Sequence, residues 1–437
     1  MSRPRVAIVG IGFAGREAVK ELAHQDVDVL VLDRHNYHTF YPLLYQVAIA
    51  GLSPNEIAYP ARALVGKYPN VRFRMAQVTG VDPAACQIMT DSGPVAYDYL
   101  ILAAGSKPHF FGLDGVVRAA YPLGDIDHAI SLRNHILECF ERASVEPSSE
   151  RRQELLTFVI VGGGPTGVEL AGALAELQRH ALRRDFPDLS FDEVRIVLIE
   201  LLDTVLPTFT KSLQGYAKRK LDQMGVELLL NTTVKDATCD AVHLKDGRTI
   251  AAQTIVWAAG VQARLADELP FDTARGGRIV VEQTLQIPGH PRVFLAGDMA
   301  HLVAPNGRPY PQLAPVAVQQ GKHAAQNVLR MAGNASLQPF HFEDRGTMAT
   351  IGRAAAVAQV FGRQITGLVA WILWLAVHIA SLMGFRNRLL VLIHWAYDYF
   401  RYEPGVRLIV GSRRQCTSEH GTAETPSGPT RNERLAR

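Results

Sequence analysis

Arg5-Val-Ala-Ile-Val-Gly-Ile-Gly-Phe-Ala-Gly-Arg-Glu-Ala-Val19, running on to Asp33, is the stretch whose reading decides the fold. Val6 to Val9 is a short apolar run of the kind that makes a buried parallel strand. Gly10, Gly12 and Gly15 fit G-x-G-x-x-G, and Ala14, Ala18, Val19 and Leu22 carry a helical apolar stripe. A second apolar run, Val27 to Leu32, ends at Asp33. Strand, turn, helix, strand and acid in that order make a dinucleotide site: Gly10 allows the tight turn, Gly12 lets backbone approach a pyrophosphate, and Gly15 lets helix and strand pack closely. The free N–H groups at the helix start favour phosphate, and Asp33 can accept from a ribose hydroxyl. A glycine pattern alone marks only a tight turn; the strand, helix and acid around it carry the reading.

The pattern returns. Thr157-Phe-Val-Ile-Val161 is a strand, Gly162-Gly-Gly-Pro-Thr-Gly167 a turn, and Val168 opens a helix. Gly162, Gly164 and Gly167 take the three glycine roles, with Gly163, Pro165 and Thr166 between them. The next strand ends at Glu200, farther from the turn than usual because the helix is extended and a loop inserted. Glu200 would repel a 2′-phosphate, which favours NADH over NADPH. Leu102-Ala-Ala-Gly-Ser106 in the first half is matched by Trp257-Ala-Ala-Gly-Val261 in the second, so Ala104, Gly105, Ala259 and Gly260 join the candidates. This approximate duplication predicts an α/β chain with two Rossmann-like dinucleotide-binding domains. The first is expected to be discontinuous, completed where a strand ends at Gly297-Asp298 and a helix follows from Pro311. The expected divisions are 1–118 and 271–345 for the first domain, 119–270 for the second, 346–411 for a C-terminal region and 412–437 for a polar, disordered tail.

Composition narrows the alternatives. A net charge of +3 over 437 residues does not argue for nucleic acid. The four cysteines are far apart and form no C-x-x-C, so neither a disulfide framework nor a zinc site is expected, in keeping with a reducing compartment. The N-terminus enters the first strand at once and leaves no room for a signal peptide. His35 and His38 lack ligand partners at metal spacing and read as loop histidines. No metal site is expected.

Near the C-terminus, Thr366 to Met383 is eighteen residues without a charge. As a helix it would reach about 27 Å, just short of a hydrocarbon core. Trp371, Trp374, His378 and Ser381 share one helical face, expected to sit at a headgroup boundary. Leu389, Leu392, Ile393, Ala396 and Phe400 form the apolar face of a second helix, opposite His394, Asp398 and Arg401. Residues 366–402 therefore read as a region lying on a bilayer surface rather than spanning it.

The order of these motifs resembles the two-dinucleotide-binding-domain flavoproteins, and more narrowly type II NADH dehydrogenase, the single-subunit NADH:quinone oxidoreductase. The resemblance covers roughly residues 5–410 and rests on Phe40-Tyr-Pro-Leu-Leu-Tyr-Gln-Val-Ala48, the block from Gly162 to Gly172, Leu295-Ala-Gly-Asp298, the stretch 314–321 and Gly384-Phe-Arg-Asn-Arg388. It implies non-covalent FAD held by Gly10, Gly12, Phe13, Ala14, Gly15, Asp33, Arg34, Ala104, Gly105, Gly297 and Asp298. NADH is implied on Gly162, Gly163, Gly164, Pro165, Thr166, Gly167, Glu169, Glu200, Ala259 and Gly260. A membrane quinone is implied near Ala314, Ala317, Gln319 and Gln320. Glu169 corresponds to a carboxylate for which a proton-relay role has been proposed in the family, although an acid in a helix's first turn is stabilising without any catalysis. Pro315 replaces a glutamine of the family's quinone motif, so Gln319 is the expected catalytic partner there. The resemblance further implies a monotopic homodimer on the cytoplasmic face of a bacterial-type inner membrane, moving electrons without proton pumping. Two rivals stand beside it: a sulfide:quinone oxidoreductase, which needs cysteines beside the flavin, and a membrane-associated NADH-sensing flavoprotein with little turnover.

Overall fold

The computed structural model describes residues 3–401 and 406–411. Two parallel sheets organise it. In the first, Arg5–Val9 lies between Asp28–Asp33 on one side and Tyr99–Leu102 on the other, both parallel to it. Val71–Met75 forms one edge of the sheet, and on the other side His290–Leu295 returns to pair in parallel with Tyr99–Leu102 and carries the short antiparallel edge strand Gln286–Ile287. In the second sheet, Thr157–Val161 lies between Arg195–Ile199 and Thr254–Trp257, again all parallel. Each central strand is thus flanked by the strand that ends in an acid and the strand that ends in Ala-Ala-Gly. The near-continuous apolar strands follow from burial on both faces, as Val6, Ile8, Phe158 and Ile160 show by their full burial.

Seven helices matter below: α1 (Phe13–Leu22), α2 (Leu44–Ala48), α3 (Ile126–Val145), α4 (Pro165–Glu176), α5 (Ala314–Ala332), α6 (Gly367–Ser381) and α7 (Phe385–Arg401). Helix α5 crosses α1 so closely that a Cβ on Gly321 would lie 2.0 Å from the carbonyl oxygen of Ala14. The first nucleotide unit is therefore closed by residues some three hundred positions farther along. Helix α4 meets the antiparallel sheet 347–366 in the same manner, with Gly172 against the Ile351 carbonyl. Segment 40–57, including α2, packs into one core with the second nucleotide unit and with Trp374, Leu382 and Val391 of the C-terminal region. Asp125 caps α3 by accepting from His128 N at 3.0 Å.

Helix α6 has 15 residues, a reach of about 22 Å, and no helix among the described residues is long and apolar enough to cross a membrane. One expectation is corrected: the Trp and His face of α6 points the other way from the one anticipated. Ala370, Trp374 and His378, one turn apart, are the buried face, while Leu368, Val369, Ile372 and Val377 are exposed. The reason is packing. The Trp374 and His378 rings stack at 3.9 Å, and the His378 ring stands edge-on to Phe40 at 6.0 Å. Helix α7 repeats the arrangement: Leu389, Leu392 and Ile393 are exposed, Trp395 donates inward to Gln46 Oε1 at 2.8 Å, and His394 pairs with the buried Glu56. The expected tail 412–437 lies outside the described residues.

Because the carbonyl facing Gly321 belongs to a helix backbone, it cannot step aside for a methyl group. Gly321→Ala is expected to destabilise the chain by roughly 1–3 kcal/mol and to weaken flavin retention, both readable from thermal unfolding with and without added FAD.

Candidate functional site

The two glycine turns are built alike. Gly10 has φ +99 and donates to Leu32 O at 2.7 Å; Gly162 has φ +113 and donates to Ile199 O at 2.8 Å. A Cβ at either would strike the neighbouring strand end, Ala103 O at 2.3 Å or Ala258 O at 2.6 Å. Gly15 and Gly167 press against the carbonyls of Gly10 and Gly162. Gly12 and Gly164, the N-caps of α1 and α4, instead face open space. Each unit therefore offers an open cradle at a helix N-terminus, the shape and polarity that a diphosphate fits.

Both acids brace their own turn. Asp33 accepts from Ile11 N and His35 N, each at 2.8 Å; Glu200 accepts from Gly163 N at 2.5 Å and Leu202 N at 2.9 Å. A carboxylate oxygen has two lone pairs, so these bonds orient the group and leave capacity for a ribose hydroxyl. Burial raises the Asp33 carboxyl above its usual range, against the pull of its two backbone donors.

One cleft joins the two units. It is lined from the first by Gly10, Gly12, Phe13, Ala14, Asp33, Arg34, Ala104 and Gly105, from the return segment by Gly297, Asp298 and Ala317, and from the second unit by Thr166, Trp257 and Gly260. Partial burial raises the Asp298 carboxyl, which accepts from Ser106 Oγ at 2.7 Å. Ser106 and Arg264 were not foreseen. Arg264 lines the same cleft, donates to Ser106 O at 3.0 Å and makes no ion pair among the described residues. Only a periodicity-free loop surrounds Arg264 in the sequence, so no local signal marked it. His38, read as a loop histidine, is a buried strand residue whose Nδ1 meets Ile11 O at 2.7 Å; burial lowers it to about 4, so it is neutral.

The two glutamines of α5 part company. Gln320 is fully buried, accepts from Gly297 N at 2.8 Å, and its Nε2 has no partner. Gln319, a hundred degrees around the helix, is turned from the cleft and exchanges hydrogen bonds with Glu343 O and N, both at 2.9 Å. The structure does not gather Gln319 with the cleft residues; Ala317, Gln320 and Gly321 form the inward face instead.

Glu169 lies one helical turn beyond Thr166 and lines a second cavity of about 170 Å³ with Tyr45, Gln46, Thr350, Trp371, Trp374 and Trp395. Burial pushes its carboxyl up to about 8, although Thr350 N donates to Oε1 at 3.3 Å. A carboxyl titrating near neutrality, between a nucleotide cleft and an aromatic cavity, is suited to holding or passing a proton.

The fold and the paired cradles define a two-dinucleotide-binding oxidoreductase. Residues 4–321 match the family model described as pyridine nucleotide-disulphide oxidoreductase, and residues 345–401 match an NDH2 C-terminal domain. A type II NADH:quinone oxidoreductase of Mycobacterium tuberculosis is 38% identical over 419 residues, covering 92% of this chain and 89% of its own length. The structure of NDH2 from Plasmodium falciparum in complex with NADH superposes with TM-score 0.86 at 21% identity, covering 94% of this chain and 100% of that one. A sulfide:quinone oxidoreductase from Aquifex aeolicus follows with TM-score 0.71 at 19% identity, over 91% and 95% of the two chains. The chain belongs to the pyridine nucleotide-disulphide oxidoreductases and, within them, to the type II NADH:quinone oxidoreductase family.

The state of Glu169 has a consequence for stability. Between its ordinary value of 4.5 and about 8, the folded chain keeps a proton that the unfolded chain releases. Stability is therefore lost as pH rises through that window. Glu169→Gln removes the titration. Its melting temperature is expected to gain on the natural chain by roughly 2 °C or more between about pH 5 and about pH 8, measured by calorimetry.

Proposed function

We propose that this chain oxidises NADH with FAD as its resident cofactor and delivers two electrons to a membrane quinone, without pumping protons. The observation that carries the reading is one cleft that takes in the glycine cradle of the first unit and is walled by Thr166, Trp257 and Gly260 of the second, whose own cradle at Gly164 starts the helix bearing Thr166. The first cradle would hold FAD, with Asp33 at its ribose and Asp298 and Gly297 along its chain, and the second would hold NADH, with Glu200 at its ribose. When bound, FAD supplies the redox chemistry, taking two electrons from NADH and passing them to quinone. The protein orients the nucleotides on the glycine turns, excludes a 2′-phosphate through Glu200, and holds a proton on Glu169 one turn from the cleft. Gln320 Nε2, buried without a partner beside Gly297, is the amide donor offered to a ligand at that end. Ala314, Ala317 and Gln320 remain the α5 side of the quinone site, while the aromatic cavity beside Glu169 is its route from the C-terminal helices.

A sulfide-oxidising chemistry is poorly served. Among the described residues no cysteine lines the cleft, and burial pushes the Cys139 thiol up to about 11, which keeps it unreactive.

The exposed faces of α6 and α7 support attachment to a bilayer surface. Leu368, Val369, Ile372, Leu389, Leu392 and Ile393 are all open to solvent, a run of apolar surface that ordinarily marks an interface. A homodimer on the cytoplasmic face of the cell membrane completes the proposal.

Under anaerobic conditions NADH is expected to bleach the bound flavin and a soluble quinone to restore its colour. A chain that binds NADH but leaves the flavin oxidised would be a sensor rather than an enzyme. In the same assay Glu200→Ala should raise the NADH concentration needed by roughly tenfold or more and keep FAD bound; loss of FAD instead would mean that the two cofactors are exchanged. Ile372→Glu with Leu392→Glu should release the protein from anionic lipid vesicles in a flotation experiment without slowing flavin reduction by NADH.

A further inference from the structure

The segment His109-Phe-Phe-Gly112 crosses the strand end of the second unit and is fastened there from both sides. His109 N donates to Gly260 O at 3.1 Å, and Trp257 Nε1 donates to His109 O at 2.8 Å. Phe110 is the anchor: its ring stacks on Trp257 at 6.1 Å and joins the apolar core of the second unit. Phe111 does the opposite. It is 59% exposed, with its ring 4.4 Å from His109 and 6.4 Å from Trp257. Its φ is +53, a left-handed conformation that a residue with a Cβ adopts against steric resistance. A Cβ on Gly260, itself at φ +128, would come within 3.1 Å of the Phe111 ring.

Phe110 supplies the core packing here, whereas the Phe111 ring, held mostly outward at a strained backbone position, stays outside the apolar core of the second unit. Such strain gathers where a ligand is handled. The neighbours identify the ligand. Gly260 and Trp257 line the shared cleft, at the end of the second unit that faces the flavin unit rather than at the Glu200 end. The half of NADH nearest the flavin is the nicotinamide nucleotide, which must cross this point.

We propose that Phe111 is a substrate contact for NADH, its ring covering the nicotinamide nucleotide where the dinucleotide passes Gly260. Carbon atoms of the ring edge and face would meet the planar nicotinamide and its ribose, limiting the poses from which hydride can leave. The inference rests on the assignment of NADH to the second unit.

The test exploits the backbone strain. Glycine suits φ +53 better than phenylalanine, so Phe111→Gly should melt no lower than the natural holoenzyme and should retain FAD fully. Its kcat/KM for NADH should fall roughly tenfold, carried by KM, and Phe111→Tyr should restore it to within about twofold. An unchanged KM in Phe111→Gly would overturn the proposal, as would a fall in melting temperature that accompanies the rise in KM, since that would mark a packing residue. Glu200→Ala separates the two levels. If it raises KM while Phe111→Gly does not, only the contact fails; if neither does, the assignment of NADH to this unit fails with it.

Discussion

Backbone lying directly on backbone is the constraint on which the rest of the structure depends. Gly15 against Gly10, Gly167 against Gly162, Gly172 against Ile351 and Gly321 against Ala14 are four places where a single methyl group has no room. The first two draw helix onto strand, so that the N–H groups at Gly12 and Gly164 point into the cradles. The last two fasten pieces from distant parts of the chain onto those same helices, α5 onto α1 and the 347–366 sheet onto α4. Loosening any of them would shift a helix N-terminus relative to the cleft, and the electrostatics of the site would move with it.

How much of this was legible before the structure depended on how local the information was. Strand, turn, helix and acid in one short succession announced both nucleotide units, the second stretched by its inserted loop, because each glycine has one steric reason to be there. The acids were read as ribose partners; that they also tie down their own turns through Ile11 N and Gly163 N shows only in three dimensions. Ser106 closes the Leu102–Ser106 stretch but was passed over in favour of its alanine and glycine, and Arg264 belongs to no motif. Their significance comes from the antiparallel pairing of Ser106–Pro108 with Val261–Ala263, which no pattern in either segment encodes. Gln319 and Gln320 show the limit within one motif: adjacent amides, a hundred degrees apart on a helix, and only the buried one reaches Gly297.

The C-terminal helices teach a different lesson. An apolar helix carrying Trp and His on one face invites the view that this face meets the headgroups. The structure puts Trp374 at 1% exposure, stacked on His378, beside the cavity that Glu169 also lines. The aliphatic face is left outside. Aromatic rings with polar edges are more valuable where geometry is specific, against Phe40 and the cavity wall, whereas a bilayer accepts aliphatic side chains without asking for shape. The surface that would touch lipid and the wall of the proton-holding cavity are thus two sides of one helix.

The discontinuity of the first unit also sets an order of events during synthesis. The second unit's sheet draws its strands from residues 121–257, and these can pair as soon as they have left the ribosome. The first sheet cannot be completed until His290–Leu295 has been made, and its cradle has no far wall until Gly297 and Gln320 arrive. Until then α1 exposes the face that α5 will cover. A nascent chain stalled before residue 320 therefore carries two incomplete units, α1 without α5 and α4 without the 347–366 sheet that packs on Gly172, and exposes apolar faces prone to aggregation.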